Sequence, residues 1–116
     1  MGVGYPEQII QSVKQGIDMF DCVIPTRHAR HGDLFAFKNG LKYETIQIGK
    51  AKYSTDFTPL DKKCSCNTCK NYSKAYLHHL YKSGEFLYQR LATIHNLKFY
   101  IDLMAKIKEE IKKGKI

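Results

Sequence analysis

No stretch of the 116 residues is apolar for the roughly 20 positions that a bilayer span requires. The first residues lack a basic segment followed by an uninterrupted apolar core, so no secretory signal is expected. Met1-Gly2 is not followed by Ser or Thr at the sixth position, where Pro6 stands, and this excludes the myristoylation pattern. Gly2-x-Gly4 has no third glycine and no strand ahead of it within the chain, which excludes a dinucleotide fingerprint. There is no internal repeat and, apart from a lysine-rich end, no low-complexity tract. Acidic residues are scarce: 11 Asp and Glu stand against 19 Lys and Arg, for a net charge of +8. That excess favours a polyanionic partner such as nucleic acid, although charge alone fits a merely soluble basic protein equally well. Hydrophobic residues make up 43%, which excludes global disorder, and the length allows one domain at most.

What is present begins with an amphipathic pattern. Ile9, Ile10, Val13 and Ile17 recur at helical spacing behind Pro6, so residues 6–15 are expected to be a helix that Gly16 stops. Residues 19–24 then form a short apolar run rich in strand formers, bounded by Gly16 and Pro25. A helix followed by such a strand reads as an α/β unit of a parallel sheet. Leu34, Phe35, Phe37, Leu41, Tyr43, Ile46 and Ile48 fit a β-hairpin turning at Asn39-Gly40, a pair suited to a type I′ turn. Residues 49–63 are polar, lysine-bearing and without period, and read as a loop. Beyond them the pattern is helical. Tyr72, Tyr76, Leu77 and Leu80 mark one face up to a break at Ser83-Gly84. Phe86, Leu87, Leu91 and Ile94 mark the next helix, and Leu97, Tyr100, Ile101, Met104, Ile107 and Ile111 continue it.

Cys64, Cys66 and Cys69 give C-x-C-x2-C, a strong metal signal and one of a reducing compartment, so the chain is expected in the cytoplasm. Three thiolates and one imidazole would close a tetrahedral zinc site with no open position, a structural rather than a catalytic centre. His95 is the favoured fourth ligand. Helices over residues 72–82 and 85–95 would each run about 16 Å, and a reversal at Ser83-Gly84 would bring His95 back to the level of Cys69. His78 and His79 stand nearer in sequence and remain alternatives. Cys22 reads as a small buried hydrophobe.

The chain is organised around residues 16–32, GIDMFDCVIPTRHARHG. Asp21 sits inside the apolar run, where a carboxylate is costly unless it is paired or put to use. Thr26, Arg27, His28, Ala29 and Arg30 follow as a donor-rich loop. An acid on a strand that runs into an arginine loop is the layout of an active site at the C-terminal end of a parallel strand. The residues alone also allow a structural acceptor followed by a solvated loop. Asp18 is the competing carboxylate, but on an extended strand it points to the opposite face from Asp21.

This segment closely resembles the catalytic stretch of the tRNA-guanine transglycosylases, the queuine tRNA-ribosyltransferases. The likeness includes GIDMFDCV and PTR, Pro59-Leu60-Asp61 before the cysteines, YLHHL at 76–80 and TIHNL around His95, and runs from Gly2 to about Met104. It fits the bacterial and eukaryotic type rather than the archaeal type with its extra RNA-binding domains. It implies an α/β fold, the C-terminal part of a TIM (β/α)8 barrel with a zinc-binding subdomain. Residues 1–48 would be the last part of the barrel, 49–95 the zinc subdomain, and 96–116 a C-terminal helix and basic tail. It implies that Asp21 is the nucleophile, and that residues 26–30 read the wobble region of tRNA with help from Gly2, Val3 and Gly4. Cys64, Cys66, Cys69 and His95 would hold structural zinc. Family members exchange a tRNA guanine for a deazaguanine, commonly as dimers. A TIM barrel takes about 250 residues, so the chain reads as a C-terminal fragment, a truncated gene product or one piece of a split enzyme, inactive alone. The carboxylate that moves protons at the base has no counterpart here. A non-catalytic accessory subunit and a basic RNA-binding zinc module are the competing readings; the retained Asp21 speaks against both.

Overall fold

The structure, a computed structural model, describes residues 4–17, 23–39 and 41–114. Helix α1 (Pro6–Lys14) starts as its sequence dictates, with Pro6 in the first turn and the Gln8 side chain accepting from the Tyr5 amide at 3.3 Å. Helix α2 (Ile24–Arg30) follows, then strands β1 (Asp33–Asn39) and β2 (Lys42–Gln47). A 3-10 turn (Ala51–Tyr53), the short α3 (Asn67–Asn71), α4 (Lys74–Ser83) and the long α5 (Phe86–Lys112) complete the order. Among the described residues the sheet is a two-stranded antiparallel hairpin. None of the described helices is long and apolar enough to cross a membrane.

Two local expectations change. The stretch after Pro25 is a helix, not a loop, and Ile24 opens that helix rather than ending a strand. Proline with its preset φ belongs in a first helical turn. Ile24 packs with Phe35 and Phe99, Ala29 is fully buried, and both contacts require the helical turn between them. The basic residues Arg27, His28 and Arg30 fall in the last turn, where the helix dipole favours cations. Gly32 ends the segment at φ +87°, with the Tyr81 ring so near that an added Cβ would lie 3.0 Å from it. In the hairpin, Leu34 pairs with Ile46 and Phe37 with Tyr43, as the alternation requires. A register shift between Phe37 and Asn39 then pairs Asn39 with Lys42, so Asn39 closes β1 instead of sitting at the centre of the turn. Gly40 lies outside the described residues.

The helical break falls where Ser83-Gly84 placed it. Ser73 caps α4 by accepting from the Tyr76 amide at 3.2 Å, and Gly84 ends it in the left-handed region at φ +70°. Helix α5 passes through residues 95 and 96 without interruption, so the metal-bearing part and the C-terminal part share one rod. Its buried seam matches the expected face only in part, sharing Leu91 and Ile107 with it. Tyr88, Leu91, Ala92, His95, Asn96, Phe99, Leu103 and Ile107 are buried, each with another of the set three or four positions away, so that they form one stripe along the helix. Phe86, Leu87, Leu97 and Ile101 face outward, as does Tyr76 on α4. The apolar count misled because two polar residues, His95 and Asn96, occupy the seam.

Both faces of β1 are covered. Leu34 and Ala36 pack with Leu77 and Leu80 of α4 and Leu91 and Ala92 of α5. Phe35 and Phe37 stack on Phe99, with ring centroids 5.3 and 4.3 Å away. Further along α5, Leu103 and Ile107 enclose Ile9 of α1.

Candidate metal centre and the arginine helix

Cys64, Cys66, Cys69 and His95 converge, with their ligand atoms all within 4.8 Å of one another. The Cys66 side chain caps α3 by accepting from the Cys69 amide at 3.3 Å, and the Cys66 amide donates to Cys64 Sγ at 3.4 Å. Amide donors to sulfur favour the thiolate that a metal needs. Asp61 holds the knuckle against the hairpin, accepting from the Phe37 amide at 3.3 Å while its carbonyl accepts from the Cys64 amide. Thr68, fully buried on α3, donates to the Leu91 carbonyl at 2.6 Å and ties the knuckle to α5.

The distances fit a shared ion. Metal–sulfur and metal–nitrogen bonds of about 2.3 and 2.0 Å at tetrahedral angles put nitrogen about 3.5 Å from each sulfur. His95 Nδ1 lies 3.8, 3.6 and 3.2 Å from Cys64, Cys66 and Cys69 Sγ. Its other nitrogen, Nε2, meets the Phe35 carbonyl at 2.5 Å, which directs Nδ1 at the sulfurs. Cys66 and Cys69 are buried and His95 is 1% exposed, so the donor set is sheltered from water. Without a metal, burial pushes the His95 imidazolium down, but the hydrogen bonds it donates to Cys64 and Cys66 outweigh burial and hold its pKa at about 9. The neighbouring thiols Cys64 and Cys69 pull Cys66 down, and Cys64 and Cys66 push Cys69 up. In the metal-free cluster His95 and Cys69 hold on to their protons, and a metal must displace them. Neither alternative histidine joins the cluster: His78 Nδ1 is 2.7 Å from the Ile48 carbonyl, and His79 is exposed.

The remaining sequence-read residues distribute as follows. Asp21, Asp18, Cys22, Gly2 and Val3 lie outside the described residues. Gly4 is buried, its carbonyl accepting from the Tyr100 hydroxyl. On α2, Arg27 and Arg30 are exposed. Thr26 donates to the Val23 carbonyl at 3.1 Å. His28 is half-buried, with Nε2 3.3 Å from the Tyr5 hydroxyl and Nδ1 3.5 Å from an Asp33 oxygen, an ion pair only when the ring is protonated. Ala29 faces inward, its carbonyl accepting from the Tyr88 hydroxyl at 2.6 Å. Burial raises the Tyr88 phenol, so it stays protonated and keeps donating.

Reading the sequence missed Asn96 and Thr68 as parts of this site. A polar pair, His95-Asn96, inside an otherwise apolar helical seam was the signal that could have found the first.

A family profile described as queuine tRNA-ribosyltransferase matches residues 1–116. The chain is 56% identical to a protein of that description from Actinobacillus pleuropneumoniae serotype 5b (strain L20), over 99% of this chain and 29% of that protein. It is 52% identical to one from Herminiimonas arsenicoxydans over the same shares, and 57% identical to one from Haemophilus ducreyi over 96% of this chain and 28% of that protein. The chain thus spans less than a third of the length of these relatives.

Proposed function

The chain belongs to the queuine tRNA-ribosyltransferase family, and we propose that it is the C-terminal portion of an enzyme that exchanges guanine for a deazaguanine at the wobble position of tRNA. The observation that carries this reading is the match along the whole chain, residues 1–116, which includes the segment bearing Asp21. Residues 1–48 would complete a TIM barrel begun elsewhere, 49–95 would form its zinc subdomain, and 96–116 would finish the helix and basic tail. The whole protein would act on tRNA in the cytoplasm, as a homodimer.

In this reading an Asp21 carboxylate oxygen attacks C1′ of the wobble nucleotide. The C1′–N9 bond breaks, and guanine leaves with the electron pair and takes a proton from an acid outside this chain. The product is a ribosyl ester. The incoming deazaguanine attacks C1′ in turn, loses its proton and frees the carboxylate, so two inversions give retention. Arg27 and Arg30, exposed on α2 immediately after the Asp21 segment, suit phosphate or a guanine edge. Cys64, Cys66, Cys69 and His95 would hold zinc, which with four protein ligands would cross-link the fold and leave no position for substrate.

The test supplies the remaining portion of the protein and traps a covalent RNA adduct on a denaturing gel. Asp21→Asn should abolish the adduct and Asp18→Asn should not, and the chain alone should exchange no guanine. An adduct that survives in Asp21→Asn overturns the nucleophile, and exchange by the chain alone overturns the fragment reading.

A further inference from the structure

Two consecutive side chains of α5 hold both backbone groups of one strand residue. His95 Nε2 meets the Phe35 carbonyl at 2.5 Å, and Asn96 Oδ1 accepts from the Phe35 amide at 3.1 Å. The Asn96 amide nitrogen reaches further, donating to the Pro25 carbonyl at 3.0 Å and the Asp33 carbonyl at 3.1 Å. Asn96 is fully buried and its oxygen and both N–H groups are committed, so it cannot turn without breaking a bond. Pro25 stands in the first turn of α2, while Tyr88, also from α5, grips the Ala29 carbonyl near the other end. Helix α2 is therefore pinned at both ends by α5, which leaves Arg27 and Arg30 on its outer side.

The metal enters through His95. A metal on Nδ1 fixes the orientation of the ring, and with it the contact of Nε2 with the Phe35 carbonyl. We propose that Asn96 is a positioning residue that carries metal occupancy to α2: the metal-bound imidazole fixes Phe35, Asn96 locks onto the same residue, and its amide sets the pose of the arginine helix. For RNA, the inference rests on the reading above that α2 faces the anticodon; the coupling itself does not.

The experiment uses hydrogen exchange and chelator competition on this chain. In zinc-loaded Asn96→Ala, amides of residues 27–32 should exchange about tenfold faster while those of α4 are unchanged. Zinc affinity should fall by a similar factor, because coupling is reciprocal and an outer-shell partner of a ligand is worth about 10- to 100-fold. Asn96→Asp keeps the acceptor for the Phe35 amide and removes the donors to α2; it is read in the same way if the alanine variant does not fold. Unchanged exchange in α2 overturns the proposal. So does faster exchange with unaltered zinc affinity, and so does equal acceleration of α2 and α4, which would mark a core residue only. A labelled anticodon stem-loop is titrated in parallel. Zinc removal should weaken the binding of wild type but not of Arg27→Ala/Arg30→Ala, whereas equal weakening in both overturns the link to RNA. No binding by zinc-loaded wild type sinks the RNA reading of α2, and the exchange result still decides the coupling.

Discussion

Replacing His95 separates the two bonds its ring makes. Structural zinc in small domains contributes about 10–16 kcal/mol of apparent binding free energy at neutral pH. Shared among four ligands that is about 2.5–4 kcal/mol each, so His95→Ala should weaken zinc binding about 10²- to 10³-fold. The same change strips the Phe35 carbonyl of its partner, and a buried unsatisfied acceptor costs about 1–3 kcal/mol more. Against a typical total stability of about 5–15 kcal/mol, the combined loss should unfold a large share of the protein at low zinc. His95→Cys restores a closed four-ligand set but not the bond to Phe35. It should hold zinc near wild-type affinity and still lose about 1–3 kcal/mol in a zinc-saturated urea titration. Competition with a chromophoric chelator reads the affinity, and metal analysis of the purified protein reads the stoichiometry, expected at one zinc per chain. His78→Ala and His79→Ala serve as controls and should keep the metal. Zinc retained at wild-type affinity in His95→Ala would refute the ligand assignment, however well the distances fit.

Phe99 lies 2% exposed between Phe35 and Phe37; Phe99→Ala should cost about 3–5 kcal/mol in urea unfolding of the zinc-loaded chain, and a loss below about 1 kcal/mol would contradict the stacked core. The metal-free and zinc-loaded forms should respond to pH with opposite character. In the metal-free protein His95 is raised from 6.5 to about 9, so its contribution is complete below 6.5 and is lost as pH rises through about 9; Cys66 is lowered from 9.0, so its contribution grows with pH up to 9.0. The two slopes cancel between about 6.5 and 9, so thermal unfolding of the stripped chain should be flat there and fall as pH drops below 6.5; above 9.0 Cys69, raised and so protonated only in the folded chain, makes stability fall again. Zinc must displace the His95 proton, so zinc affinity should rise across that window by about 1.4 kcal/mol per pH unit for each proton released, and a flat affinity would mean that His95 is not a ligand.

The sequence by itself determined the local structure and the ligand chemistry. Pro6 and the apolar spacing behind it set α1, alternation set the hairpin faces, and Ser73 and Gly84 bounded α4. The cysteine spacing with His95 named a metal set, and residues 16–32 carried the resemblance that the family match supports. These are short-range signals, written in dihedral preference, side-chain period and ligand spacing. The tertiary structure alone decided the rest. Helicity from Ile24 to Arg30 depends on Ala29 meeting Tyr88 and Ile24 meeting Phe99, contacts separated by 59 and more residues. The seam of α5 follows Asn96 and His95 inward because their partners are backbone groups of β1 and α2, 60 to 71 residues away. Polar residues count against burial in any local pattern, and a hydrogen bond to a distant carbonyl leaves no periodic trace in the chain that makes it.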